Sequence, residues 1–132
     1  MHTQVEKVLI VGGSSGMGLA LAQMLLAEGA EVTIVGRSEA RLASARDHLG
    51  KAERLRTAVA DIGQEAQVAK LFEHSGPLDH IVTTAADIED AYRLLPSLQL
   101  DAVRRVIDSK FTIRNCVRSS LPVFASVSFI MR

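Results

Sequence analysis

Residues 8–20, Val-Leu-Ile-Val-Gly-Gly-Ser-Ser-Gly-Met-Gly-Leu-Ala, constrain the fold of this chain more than any other stretch. Val8 to Val11 have the apolar continuity of a buried strand, and they run straight into a glycine-rich turn. Behind the turn, Leu19, Leu21, Ala22, Leu25 and Leu26 carry apolar side chains at helical spacing, and Gly29 is placed to end that helix. A second apolar run, Val32-Thr33-Ile34-Val35, follows at once and completes a β-α-β unit. Gly12, Gly16 and Gly18 permit a tight turn, a backbone approach with no Cβ in the way, and close packing of helix on sheet. The start of the helix then offers unpaired N–H groups and a partial positive charge, an environment suited to a pyrophosphate. The spacing is G-x-x-x-G-x-G, not the G-x-G-x-x-G of the dinucleotide fingerprint, so the strand before and the helix after carry the inference.

Strands and helices go on alternating without a linker. Apolar runs predict strands near 7–11, 31–35, 55–60 and 79–84, and amphipathic stretches predict helices near 16–28, 39–49 and 64–74. Gly29, Gly50 and Gly76 punctuate the three helix ends. This pattern specifies a three-layer αβα, doubly wound parallel sheet, with a ligand crevice at the carboxyl ends of the first and fourth strands. Residues 87–100 read as a loop with a short helical turn. Asp101 can cap a long helix carrying Val103, Val106, Ile107, Ile113 and Val117 inward until Pro122 ends it, and residues 125–131 alternate like a fifth strand.

Composition excludes several other classes. At 132 residues the chain suits a single domain that buries ~65–70% of its unfolded surface. With 48% apolar and 23% charged residues it is neither disordered nor fibrous. No apolar run approaches the ~20 residues of a membrane span, and the opening MHTQVEKV lacks a signal-peptide pattern, so a cytoplasmic location and no membrane partner are expected. The single Cys116 allows no internal disulfide and no paired-cysteine zinc site, and reads as a small buried side chain. His2, His48, His74 and His80 lack metal-ligand spacing. Net charge is zero, although residues 1–100 hold 9 Lys and Arg against 13 Asp and Glu while residues 101–132 hold 6 against 2. Lys110, Arg114 and Arg118 line one helix face without interleaved aromatics, which reads as a solvated face and not as a nucleic-acid stripe.

The turn VGGSSGMG at 11–18 resembles the TGxxxGxG turn of the short-chain dehydrogenase/reductase family, with Val11 where the family usually has Thr. Ala60-Asp61-Ile62 resembles the family's short acidic motif after the third strand, whose Asp contacts the adenine ring. Thr83-Thr84-Ala85-Ala86 stands where the family has N-N-A-G, which supports the sheet and borders the cofactor. The resemblance covers most of residues 7–111 and fades beyond. It implies a Rossmann-like domain spanning 1–132 that binds a nicotinamide dinucleotide through Gly12, Ser14, Ser15, Gly16, Met17, Gly18, Arg37, Ser38, Asp61, Ile62 and Ala85. Relatives that use NAD place an acid at the end of the second strand to bind the ribose hydroxyl. Here Gly36 is followed by Arg37 and Ser38, which favours NADP(H) over NAD(H).

Family members transfer hydride between the nicotinamide and a small carbonyl or alcohol by means of a YxxxK pair, in which the Lys stabilises the phenolate. The one Tyr of this sequence is Tyr92, and four places on stands Pro96. Lys110 aligns with the helix position where the family often has Asn, and Ser126 and Ser128 fall within the fifth strand, not after it. The chain is therefore expected to be truncated after about five strands, to lack the catalytic part, and to be inactive alone. A fragment, a shortened or frame-shifted gene and a natural binding-only protein all fit. A non-catalytic dinucleotide-binding sensor or interaction module is the alternative function. An edge left open at the fifth strand further predicts self-association as a homo-oligomer.

Overall fold

The computed structural model describes residues 5–84, 101 and 126–129. In chain order they form β1 (Lys7–Val11), α1 (Gly16–Ala27), β2 (Glu31–Gly36), α2 (Glu39–His48), β3 (Leu55–Val59), α3 (Glu65–Ser75), β4 (His80–Thr83) and β5 (Ser126–Phe129). Every expected strand and helix within the described residues is present, with ends shifted by a residue or two. Pairing continues past the ends of β4, where Asp79 N–H donates to Lys7 O and Thr84 N–H to Val11 O, each at 2.9 Å. The expected loop over 87–100 and the body of the helix begun at Asp101 lie outside the described residues.

The five strands are parallel and ordered β3-β2-β1-β4-β5. Val11 lies opposite Val35 on one side and Thr83 on the other, which sets the register of the central strands. The chain moves outward from β1 through β2 to β3, then returns to the far side of β1 as β4. The direction of winding therefore reverses between β1 and β4, and the crevice beyond their carboxyl ends is where such sheets bind ligands.

Alternation along the strands explains why both faces are apolar. Val8, Ile10, Val32 and Ile34 pack with Ala22 of α1 and with Leu42 and Ala45 of α2. Leu9, Val11, Val35 and Ile81 pack on the opposite face with Val68, Leu71 and Phe72 of α3. A parallel strand covered on both faces must be apolar at successive positions, as Val8 to Val11 are. Each such side chain contributes about 1.5–3 kcal/mol by leaving water.

The carboxyl ends of α1 and α2 are closed by backbone bonds. After α1, Gly29 (φ 89°) donates to Leu26 O and Ala30 to Leu25 O, a Schellman motif whose apolar contact joins Leu25 and Ala30 in one cluster. After α2 the same pattern recurs, with Gly50 donating to Asp47 O and Lys51 to Arg46 O. At the amino ends of the strands, Glu31 lies 3.8 Å from Lys7 and 3.9 Å from Arg56. These are exposed pairs of small energetic weight.

Candidate functional site

The carboxyl edge of the sheet collects Gly12 to Gly18 after β1, Arg37 and Ser38 after β2, and Asp61 and Ile62 after β3. The turn between β1 and α1 starts at Gly12, whose φ of 90° is left-handed and whose N–H donates to Val35 O at 2.8 Å. Gly13 lies against β2, where a Cβ would come within 2.5 Å of the Ile34 side chain. Ser15 is the N-cap of α1 in an extended conformation and makes no side-chain cap bond. The N–H groups of the first turn, at Gly16, Met17 and Gly18, thus lie beyond reach of a carbonyl within the helix and are not consumed by a cap. Met17 is 41% exposed beside them.

Gly18 sets the depth of this cradle. A Cβ there would stand 2.3 Å from Gly12 O and 2.8 Å from Thr84 Oγ1, so α1 approaches β1 as closely as only glycine permits. Thr84 holds the far side of the turn. Its hydroxyl lies 3.2 Å from both Val11 O and Gly12 O, and can donate to either. This bond was not legible in the sequence, where Thr84 counted only as a replacement for a family Asn. Its neighbour Thr83 is 3% exposed, and among the described residues its hydroxyl has no hydrogen-bond partner.

The end of β2 meets the turn. A Cβ on Gly36 would lie 3.5 Å from Ser14 Oγ, an ordinary contact, so position 36 and Ser14 border one space. Arg37 follows and is exposed. Ser38 is the N-cap of α2, its Oγ accepting from Arg41 N–H at 3.4 Å, a structural duty additional to the one expected of it. After β3, Asp61 is partly exposed at the same edge, and Ile62 is buried among Val68 and Leu71, which leaves its main chain for a ligand. Ala85 and Lys110 lie outside the described residues, as do Tyr92 and Cys116. Ser126 and Ser128 are within β5, opposite His80 and Val82. Among the described residues, no group of His, Cys, Asp and Glu could hold a metal ion, and no helix is long and apolar enough to cross a membrane.

A parallel sheet wound in both directions from β1, with a glycine turn and an uncapped helix start at the point of reversal, defines a Rossmann-like α/β domain. The family model for short chain dehydrogenases matches residues 6–127, and the chain belongs to that family. It is 42% identical over 77 residues to 3-dehydrosphinganine reductase TSC10B of Arabidopsis thaliana, covering 57% of this chain and 23% of that protein. It is 30% identical over 132 residues to the short-chain dehydrogenase/reductase malC of Malbranchea aurantiaca, covering 90% of this chain and 50% of that one. The Pseudomonas aeruginosa RhlG/NADP active-site complex superposes with a TM-score of 0.79 at 26% identity, over 93% of this chain and 51% of that one. The chain thus spans about half or less of the length of these relatives. The family implies a nicotinamide dinucleotide cofactor, and the cradle fits one. The first-turn amides of α1 have no side-chain cap to bond, and the helix start that carries them follows directly on the glycine turn.

Proposed function

We propose that this chain is the dinucleotide-binding portion of an NADP(H)-dependent oxidoreductase that transfers hydride between the nicotinamide and a small carbonyl or alcohol. The observation that carries the reading is the β1–α1 turn, with Gly12 left-handed and Gly18 packed on Gly12 O, at the reversal between β1 and β4. In this reading the amides of Gly16, Met17 and Gly18 bind the pyrophosphate, and Ser14 and Ser15 line its approach. Bound there, the nicotinamide supplies or accepts hydride. The chain's own residues bind and orient it.

Preference for the 2′-phosphate rests on charge at the end of β2. Position 36 is glycine, so no carboxylate stands beside Ser14 to bind two ribose hydroxyls or repel a phosphate, and the Arg37 guanidinium follows. A charge-assisted bond is worth about 1.5–3 kcal/mol when sheltered, and the exposure of Arg37 puts its contribution near the lower end, about tenfold in affinity. The 132 residues alone are expected to bind without turnover, because Tyr92, the only Tyr, has Pro96 and not Lys four places on. Fluorescence titration of the chain with NADPH and NADH tests both parts. Saturable enhancement, tighter for NADPH, is the expected outcome; equal affinities remove the role of Arg37, and no binding of either removes the reading of the turn.

A further inference from the structure

α1 differs from the other helices in what it shows to solvent. α2 exposes Glu39, Arg41, Arg46 and Asp47, and α3 exposes Glu65, Lys70 and Glu73. From Gly16 to Ala27, α1 has no ionisable residue, and Gln23 is its one polar side chain. Its inner side is accounted for, with Ala22 buried and Leu19, Leu25 and Leu26 packed against the cluster that holds Ile10, Val32 and Ile34. Its outer side is not. Met24 is 63% exposed and Met17 41%, Leu21 is half-buried, and Glu28 is exposed just past the last turn. At 3.6 residues per turn, Met17, Leu21, Met24 and Glu28 fall within roughly 60° of arc. Their spacing of four, three and four positions is that of the seam between two helices lying side by side. Exposed Ala20 and Ala27 flank the stripe and are small enough to let a second helix approach to about 8–10 Å. A helix that is apolar on its outer side as well as its inner one belongs under cover, and among the described residues nothing covers this one.

We propose that this stripe pairs, antiparallel, with the same stripe of a second copy of the chain. The charge at its end selects both partner and direction. A parallel pair would set Glu28 against the partner's Glu28 and align the two helix dipoles, and both are unfavourable. The antiparallel pair sets Leu21 opposite the partner's Met24 and Met17 opposite the partner's Glu28, whose carboxylate then lies beside the partially positive start of α1. A membrane surface would call for basic residues beside such a stripe, and no Lys or Arg occurs from Val8 to Gly36. Four side chains along about 17 Å of helix make a small contact, so the dimer is weak, with a dissociation constant on the order of 10–100 µM.

Sedimentation velocity of the 132-residue chain without nucleotide, from about 5 to 500 µM, tests the pairing. Wild type passes from monomer to dimer across this range. Met24→Lys buries a charge in the seam and weakens association at least about tenfold. Its melting temperature stays within about 3 °C of wild type, because the side chain is exposed in the monomer. Met24→Leu keeps the dimer. Met17→Glu opposes the partner's Glu28, and Glu28→Lys sets a cation beside the partner's helix start. Each weakens the dimer at least about threefold, although each new charge suits its own helix end. The double variant Met17→Glu/Glu28→Lys brings opposite charges together and associates at least about threefold more tightly than either single variant. A wild type that is monomeric throughout, or a Met24→Lys chain that associates like wild type, overturns the proposal. A Met24→Lys chain whose melting temperature falls by more than about 5 °C also overturns it, because the stripe is then covered within the monomer. A double variant no tighter than the single ones overturns the antiparallel register on which the choice of partner rests.

Discussion

Gly18→Ala separates helix propensity from tertiary contact, because the two act in opposite directions. In an exposed helix the change stabilises by about 1 kcal/mol. At position 18 the new Cβ would stand 2.3 Å from Gly12 O and 2.9 Å from Gly12 C, and both are backbone atoms that cannot rotate away. Ordinary contact begins near 3.4 Å, so α1 and the turn must part by about 1 Å, with strain at the upper end of the roughly 1–3 kcal/mol typical of overpacking. The net is a loss of about 1–2 kcal/mol, a fall in melting temperature of roughly 3–8 °C. Displacing the turn also misaligns the amides that receive the pyrophosphate, so NADPH affinity falls at least about tenfold. Gly36→Ala is the control, since a Cβ there meets only ordinary contacts at 3.5 Å and beyond. Differential scanning fluorimetry and NADPH titration measure both effects. A Gly18→Ala chain as stable as wild type and equally tight for NADPH would refute the argument that this contact sets the cradle.

Adjacent threonines give a second contrast. Thr84→Val loses the hydroxyl that bonds Val11 O or Gly12 O and should lower stability by about 1 kcal/mol and weaken NADPH binding, whereas Thr83→Val removes an unpartnered buried hydroxyl and should leave stability equal or higher by up to about 1–2 kcal/mol in denaturant titration. Arg37→Asp should invert the order of NADPH and NADH affinity, shifting their ratio by at least about tenfold in parallel fluorescence titrations; an unchanged ratio would sink the role given to Arg37. Gly29→Ala should cost about 1–2 kcal/mol by urea unfolding without altering nucleotide affinity, because its φ of 89° is left-handed and it lies at the opposite end of α1 from the turn.

What could be read directly from the sequence was whatever depends on near neighbours along the chain. The run Val8 to Val11, the helical spacing from Leu19 to Leu26 and the stop at Gly29 specify a strand, a helix and an end by local periodicity and dihedral freedom, and the structure has each of them. Handedness and alternation then extend that pattern to a doubly wound sheet, because a parallel strand covered on both faces has few other arrangements. Bonds between distant residues were decided only by tertiary structure. Thr84 and Gly12 are 72 positions apart, and no composition or spacing marks the hydroxyl that holds that carbonyl. Gln67 looks like any polar residue in the first turn of a helix until α3 is docked against the end of β3 and its amide meets Asp61 N–H. Ser38, expected at the cofactor, also caps α2, and Ile62 turns its side chain into the core. The physical reason is one of range: backbone preferences and hydrophobic period are summed over adjacent residues, whereas a hydrogen bond needs two atoms within about 3 Å, a distance set only once the layers are packed.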